Sequence, residues 1–161
     1  MNITQPITVF IEYSNFTIKN YDLALFLNNS LVPGYSNRGI ALEAIGEVEL
    51  ALGNYERALC LDPAFANAWY NRGNIYKSNQ AFEQAIKCYL VALQLHPIFW
   101  EAFTNLGLSY YAAKKFSLAI NAYDQALSLQ PNSAVIHYNR ANALRTSGET
   151  VKAKAGYDQS E

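Results

Sequence analysis

The sequence predicts an all-α protein assembled from stacked, antiparallel helix pairs. Three observations lead to this fold class. Residue types recur with a spacing of 34, apolar residues within each copy follow the spacing of a helix face, and polar or helix-breaking residues divide each copy in two. We expect an N-terminal segment at residues 1–31, followed by copies at residues 32–65, 66–99, 100–133 and, truncated, 134–161.

The 34-residue spacing holds at several positions, numbered here from the first residue of each copy. Position 4 is aromatic or histidine, position 8 is glycine or alanine, position 20 is alanine, position 24 is tyrosine and position 32 is proline. In that order the residues are Tyr35, Trp69, Phe103 and His137; Gly39, Gly73, Gly107 and Ala141; Ala51, Ala85, Ala119 and Ala153; Tyr55, Tyr89, Tyr123 and Tyr157; Pro63, Pro97 and Pro131. Agreement at so many positions predicts that the copies share one structure.

Each copy is expected to contain a first helix, helix A, and a second helix, helix B. Between them lie Gly46, residues 79–80, residues 114–115 and Gly148, which predict a tight turn. The proline at position 32 ends helix B, because proline cannot continue a helix and restricts the residue before it. The glycine at position 8 has no Cβ, so helix B can approach helix A closely there.

The two ends of the chain depart from the full repeat. The pattern Tyr-x2-Ala-Leu-x-Leu at residues 21–27 returns at residues 55–61, which predicts helix B of a degenerate half-repeat at about residues 15–30. Residues 7–11 look more like a strand or an extended arm. The sequence stops inside helix B of the fourth copy without a polar capping helix. We therefore expect either a fragment of a longer array or a chain that ends by pairing with another copy, and in both cases self-association through the face of Ala153 and Tyr157.

These copies resemble the tetratricopeptide repeat (TPR) family, whose pattern is W-x2-L-G-x2-Y, then A-x3-F, then P. The third copy fits with Phe103, Leu106, Gly107, Tyr110, Ala119, Tyr123 and Pro131. The second fits as well, except that Arg72 takes the leucine position. The resemblance covers about residues 32–161. It implies a right-handed α-solenoid in which helices A line the concave side and helices B mostly the convex side.

The resemblance also implies a peptide-binding groove on helix A. Positions 2, 5, 6, 9, 12 and 13 form one stripe, here called the helix-A face. Position 6 is asparagine in every copy: Asn37, Asn71, Asn105 and Asn139. A row of carboxamides can hydrogen-bond an extended peptide main chain. It is similar to the asparagine ladder in the TPR domain of the glycosyltransferase that modifies Ser and Thr. Further candidates on this face are Tyr70, Asn74, Lys77, Thr104, Tyr111, Tyr138, Asn142 and Arg145.

Some of these positions also fit other roles. The asparagine at position 6 also fits a structural role in packing adjacent helices, and this alternative stays open. Arginine replaces the usual leucine at position 7 in three copies, with its stem expected to pack and its head to reach solvent or a carbonyl. The carboxylate clamp of TPR cochaperones projects onto Tyr70, Asn74, Asn105, Val135 and Asn139. All three cations of that clamp are missing, so binding of a chaperone tail is not expected.

The sequence carries no set of residues suited to catalysis. His137 is expected to pack at position 4, and His96 is expected to be exposed in a turn. No metal motif, phosphate-binding loop or nucleophile motif is present, so we expect no enzyme activity, no cofactor and no metal site. Cys60 and Cys88 cannot make a zinc site alone and are expected to be buried or half-buried small apolar residues.

The composition restricts the class of partner. The 161 residues are 51% hydrophobic and 16% charged, with a formal net charge of −1. An isoelectric point near 6.1 and the lack of a Lys/Arg cluster argue against nucleic acid and against an anionic membrane surface. The sequence thus predicts a cytoplasmic, non-catalytic scaffold that binds a protein or peptide. The alternatives are a substrate-recruiting part of a larger multidomain protein or enzyme, and a self-assembling structural array.

Overall fold

A computed structural model describes residues 4–148, with only the backbone described for residues 4–11. Within this range the chain forms eight α-helices: α1 (Thr4–Leu27), α2 (Val32–Ala44), α3 (Val48–Leu61), α4 (Ala66–Ser78), α5 (Phe82–Leu95), α6 (Trp100–Ala112), α7 (Phe116–Leu129) and α8 (Ala134–Thr146). The predicted all-α fold of antiparallel helix pairs is confirmed. Helices α2, α4, α6 and α8 are the helices A of the four copies, and α3, α5 and α7 are helices B.

The chain divides into two compact units, Met1–Arg72 and Gly73–Glu161, and the division falls within α4. In the first unit, α2 packs against α1 and α3. In the second unit, α6 packs against α5, α7 and α8, and α7 packs against α8. Each unit thus buries helices A and B against one another. A repeat needs such neighbours because one helix pair alone leaves an apolar face uncovered.

The close approach predicted at position 8 is made by the tyrosine ring at position 24. A Cβ at Gly39 would lie 2.6 Å from Cε1 of Tyr55, and one at Gly107 would lie 2.5 Å from Cε1 of Tyr123. At Gly73 the same distance to Tyr89 would be 2.7 Å. The three tyrosines are buried. The missing Cβ therefore makes room for the largest core side chain of each copy.

The turns between helices A and B are those that the sequence predicts. Each of the three turns between described helices contains a residue with a left-handed backbone: φ is +85° at Gly46, +59° at Gln80 and +60° at Lys114, and Gly148 after α8 has φ of +90°. At all three turns the chain folds back with the same hydrogen bond, from Glu47 N to the Leu42 carbonyl at 2.9 Å, from Ala81 N to the Tyr76 carbonyl and from Lys115 N to the Tyr110 carbonyl, the last two at 2.8 Å. This six-to-one bond satisfies a carbonyl that the helix end leaves open.

The junctions between copies follow from the proline at position 32. Helices α3, α5 and α7 end two residues before it, as predicted, and the intervening residue is extended, with φ of −141° at Asp62 and −132° at Gln130. The ring at position 4 then bonds the carbonyl six residues earlier. Trp69 Nε1 donates to the Pro63 carbonyl at 2.9 Å, and His137 Nε2 lies 2.8 Å from the Pro131 carbonyl.

Two of the remaining predictions are confirmed and two are wrong. His137 is buried and packs, and His96 is exposed, as expected. Residues 7–11 are not a strand, because α1 runs through them without a breaker and helix growth is cooperative. Cys60 is exposed whereas Cys88 is buried, because Cys60 lies beyond the buried stripe of α3 that ends with Ala58 and Leu59.

The N-terminal half-repeat helix is present but longer than predicted. It starts at Thr4 rather than near residue 15 and ends at Leu27. Its buried side chains among residues 12–27 are Ser14 and Leu25, on the side that packs against α2. The predicted surface of Ala153 and Tyr157 lies outside the described residues.

Candidate functional site

The second unit places three of the candidate residues in one hydrogen-bonded group. Asn74 and Lys77 lie on α4, and Asn105 lies on α6. Lys77 Nζ donates to Asn105 Oδ1 at 2.8 Å, and Asn105 Nδ2 donates to Asn74 Oδ1 at 3.0 Å. The same Asn74 oxygen accepts the hydroxyl of Tyr89 at 2.8 Å. We call these four residues the amide cluster.

The amide cluster engages both ends of the Asn105 carboxamide inside the protein. Its oxygen accepts from Lys77 and its nitrogen donates to Asn74, so the side chain joins helix A of one copy to helix A of the next. Burial lowers the pKa of Lys77 below its ordinary value. At this position the asparagine has a structural role, which is the alternative to ligand binding that the sequence leaves open.

The third and fourth copies form a different arrangement at the equivalent positions. Leu108, Tyr111, Tyr123, Asn139 and Asn142 line a cavity of about 100 Å³, which we call the tyrosine cavity. Leu108 takes the position of Asn74, and Tyr111 that of Lys77. The Tyr111 hydroxyl lies 3.1 Å from Thr146 Oγ1, and Thr146 Oγ1 itself donates to the Asn142 carbonyl. An arginine nitrogen of Arg145 lies 3.5 Å from Asn142 Oδ1.

In the first unit, Asn37 is exposed and lies beside an apolar depression between α1 and α2. The depression measures about 380 Å³, and its lining includes Tyr13, Tyr21 and Ile40. Asn71 is half-buried. Neither asparagine forms a side-chain hydrogen bond with any residue that the structure describes.

The remaining candidates are Tyr70, Thr104 and Tyr138. Tyr138 is exposed, and Tyr70 is half-buried. The Thr104 hydroxyl donates to the Trp100 carbonyl one turn earlier. The hydroxyls of the buried Tyr89 and Tyr123 reach the helix-A face, which the sequence analysis did not predict. The signal was available, since a buried tyrosine usually finds a hydrogen-bond partner for its hydroxyl.

The arginines at position 7 form ion pairs with carboxylates. We had expected their head groups to reach solvent or a carbonyl instead. Arg38 Nε lies 2.7 Å from Asp22 Oδ1, and Arg140 forms the same ion pair with Asp124. Arg72 lies 3.9 Å from Glu56 and also stacks over the Trp69 ring. Each acid stands at position 25 of the preceding copy. Between the second and third copies these two positions hold Leu90 and Leu106. An arginine at position 7 therefore corresponds to an acid at position 25 of the preceding copy, and the leucine at position 7 corresponds to a leucine.

Among residues 4–148, no three His, Cys, Asp or Glu side chains lie close enough to hold a metal ion together. None of the helices within the same range combines the length and the apolar character that crossing a bilayer requires.

Comparison with known proteins agrees with the repeat geometry. A TPR repeat model matches residues 44–80 and 107–148, and a tetratricopeptide repeat model matches residues 66–99. Among curated protein sequences, none is significantly similar to this chain.

Solved structures share the fold. A crystal structure of MamA superposes with a TM-score of 0.85 at 21% identity, over 99% of this chain and 93% of that one. MamA 41-end from Desulfovibrio magneticus RS-1 gives 0.83 at 18% identity, over 91% and 83%. PilF of Pseudomonas aeruginosa gives 0.79 at 24% identity, over 95% and 74%. With the two matching repeat models and the repeated helix pairs, these similarities identify the chain as a tetratricopeptide repeat protein.

Proposed function

We propose that this protein is a non-catalytic scaffold that binds a peptide or protein segment on its helix-A face. One observation carries the proposal. Of the four asparagines at position 6, Asn105 is held inside the amide cluster, whereas Asn37, Asn71 and Asn139 form no side-chain hydrogen bond with any residue in the described part of the chain. A half-buried carboxamide without an internal partner offers a donor and an acceptor to a ligand main chain.

Positive and negative side chains balance on the helix-A face, which favours a ligand that is recognised through uncharged groups. Positions 2 and 12 carry Glu43, Lys77, Glu101 and Arg145, so neither sign prevails. Exposed aromatic residues such as Tyr138 add contact area at a low entropy cost. A ligand of mixed composition that presents main-chain amides fits this face better than a strongly charged one.

The proposal can be tested with peptides selected from a random library on the intact protein. Asn71→Ala and Asn139→Ala should each weaken a selected peptide by about threefold to tenfold, the value of one hydrogen bond. Asn121→Ala is the matched control, because Asn121 is an exposed asparagine on helix B. Fluorescence polarisation measures the affinities. Selection of no peptide, or equal losses in all three variants, contradicts the proposal.

The exposed apolar side chains of α1 favour a second candidate function, self-association. Phe16, Leu23 and Leu27 share one face of α1 by their spacing and are 65%, 58% and 75% exposed. Exposed apolar surface of this kind marks interaction sites. Sedimentation velocity should then show a dimer or larger species that Phe16→Asp/Leu23→Asp returns to a monomer. A monomer at all concentrations excludes this function.

A further inference from the structure

The tyrosine at position 24 has a different environment in the third copy from that in the first two. The Tyr55 hydroxyl donates to Glu43 Oε2 at 3.2 Å, and the Tyr89 hydroxyl donates to Asn74 Oδ1 at 2.8 Å. Tyr123 is only 1% exposed, yet its hydroxyl forms no hydrogen bond with a residue of the described range. The side-chain polar atoms of buried residues usually find a protein partner, so this hydroxyl requires an explanation.

The Tyr123 hydroxyl faces the tyrosine cavity. In the first two copies the same hydroxyl reaches position 12 or position 9, and in the third copy these are Tyr111 and Leu108, which both line the cavity. No fully buried side-chain oxygen or nitrogen in the described part of the chain lacks a hydrogen-bond partner. The hydroxyl therefore ends in cavity space rather than in closed packing.

The lining of the cavity includes a second polar group that no described residue engages. Asn139 lines the cavity, is half-buried, and makes no side-chain hydrogen bond to any residue between 4 and 148. Its counterpart in the preceding copy, Asn105, is held by Lys77 and Asn74. Because Leu108 and Tyr111 replace those two partners, the cavity lining presents a hydroxyl and a carboxamide that no described residue engages.

We propose that the tyrosine cavity binds the side-chain carboxamide of an asparagine or glutamine of the ligand. This inference rests on the proposed function, since it assigns a specificity pocket on the same helix-A face. The Tyr123 hydroxyl donates to the carboxamide oxygen. The Asn139 carboxamide pairs with the ligand amide, accepting its N–H, while Leu108 and the Tyr111 ring contact the ligand methylene groups.

Size and charge favour this group over others. The volume of about 100 Å³ is well below the roughly 300–1,000 Å³ of a small-molecule site, so it suits one side-chain end. No lining residue carries a charge, so a carboxylate or an ammonium would enter without a counter-ion. An aliphatic side chain would leave two polar groups unpaired. Burial, with a contribution from Tyr111, raises the pKa of Tyr123, which keeps the hydroxyl protonated as a donor.

The test is an NMR titration of the ¹⁵N-labelled full chain with three small probes. Propionamide represents the side-chain carboxamide, N-methylacetamide represents a main-chain amide, and propionate represents an acidic side chain. We expect propionamide alone to give saturable shifts of the Asn139 side-chain amide signals. Tyr123→Phe should weaken this binding by about threefold to tenfold. The matched control Tyr89→Phe, which removes a hydroxyl already bonded to Asn74, should leave it unchanged.

Several results would overturn the inference. These are the absence of saturable shifts at Asn139, equal binding of N-methylacetamide or propionate, and unchanged propionamide binding in Tyr123→Phe. If Tyr123→Phe does not fold, Asn139→Ser replaces it, and normal propionamide binding by that variant also overturns the inference. Library peptides that bind the helix-A face without any propionamide effect would refute the pocket alone. The absence of library peptides would refute the proposed function.

Discussion

Arg38 on α2 and Asp22 on α1 form an ion pair, with 2.7 Å between Arg38 Nε and Asp22 Oδ1. The pair recurs between Arg140 and Asp124 with the same offset of 16 residues. It joins helix A of one copy to helix B of the copy before. Leu90 and Leu106 occupy these positions between the second and third copies. A slipped stacking of copies would therefore place an arginine or a carboxylate opposite leucine. The pairs therefore favour the correct order of copies more than they favour stability.

Replacing one partner of this pair should cost more than replacing both. Arg140→Leu or Asp124→Leu alone leaves the other charge unpaired, and we expect each to lower the free energy of unfolding by up to about 1 kcal/mol. The double variant Arg140→Leu/Asp124→Leu reproduces the leucine pair and should recover most of the loss. Urea denaturation of the four proteins measures the coupling. Additive losses, or a coupling that 1 M salt leaves unchanged, would contradict an electrostatic pair.

A methyl group at position 8 should destabilise the protein strongly. A Cβ at Gly107 would lie 2.5 Å from the Tyr123 ring, so Gly107→Ala forces the ring or the helix to move at a cost of about 1–3 kcal/mol. The control is Gly53→Ala, because nothing lies within 4 Å of a Cβ there. That variant should stabilise α3 by about 0.5–1 kcal/mol, as alanine is the better helix former. Chemical denaturation measures both, and a neutral Gly107→Ala would refute the packing argument.

The two non-glycine turn residues with left-handed backbones should be improved by glycine. Lys114 has φ of +60°, a conformation that costs an L-residue roughly 1–2 kcal/mol. Part of this gain is offset by the flexibility of glycine in the unfolded chain. We expect Lys114→Gly to raise the free energy of unfolding by about 0.5 kcal/mol, and Gly46→Ala, the reverse change at φ of +85°, to lower it. Thermal unfolding compares them, and a loss in Lys114→Gly would contradict the prediction.

The position-6 asparagines should separate into structural and ligand-facing residues. Asn105→Ala removes the partner of Lys77 and one partner of Asn74, so it should lower the free energy of unfolding by about 1–2 kcal/mol. Asn139→Ala breaks no hydrogen bond to the described residues and should change stability by less than about 0.5 kcal/mol. Urea denaturation of Asn105→Ala and Asn139→Ala measures the two losses in the free energy of unfolding. Equal losses would mean that both asparagines have the same structural role.

Stability should fall at alkaline pH because of the buried tyrosines. Burial raises the pKa of Tyr55, with Glu43 adding to the effect, and likewise that of Tyr123. Above the ordinary tyrosine pKa of 10.0, the unfolded chain loses these protons while the folded protein keeps them. The contribution of each tyrosine to the free energy of unfolding should therefore be level below pH 10 and fall above it by about 1.4 kcal/mol per pH unit.

Tyr123→Phe isolates the contribution of one tyrosine to this pH dependence. Above pH 10, the free energy of unfolding of this variant should fall less steeply, by the contribution of one tyrosine. Tyr138→Phe changes an exposed tyrosine and should show the same pH dependence as the parent protein. Lys77 acts in the opposite sense, because its lowered pKa lets the unfolded chain hold a proton that the folded protein releases. An identical pH profile in Tyr123→Phe and the parent protein would contradict the assignment.

Most of the fold was predictable because the repeat supplies each signal several times. The proline at position 32 and the glycine at position 8 predicted where helices end and where they approach, and the structure confirms both at Pro63 and Gly73. The start of α1 was not predictable in this way. Only one copy of that segment exists, and the β-branched residues of 7–11 favour a strand locally, while the uninterrupted helix that follows decides the outcome.

The candidate site was predictable as a face but not in its contacts. The spacing of position 6 places Asn105 and Asn139 on equivalent points of two helices. What differs is their surroundings, since Asn105 meets Lys77 and Asn74 while Asn139 meets Leu108 and Tyr111. Those neighbours lie about 30 residues away in sequence, and their pairing appears only when consecutive copies are stacked.

The backbone carbonyls at the junctions between copies show what most rings at position 4 have in common. Trp69 donates an indole N–H to the Pro63 carbonyl, His137 offers an imidazole N–H to the Pro131 carbonyl, and Tyr35 donates a hydroxyl to the Asn29 carbonyl. Three unrelated ring chemistries thus satisfy one backbone oxygen. An alignment scored by residue identity counts these positions as mismatches. Phe103, the fourth ring at position 4, has no such donor, so what all four copies share is a flat ring, to which three of them add a donor on the rim. Divergent repeats of this kind are better recognised by these properties than by any single residue.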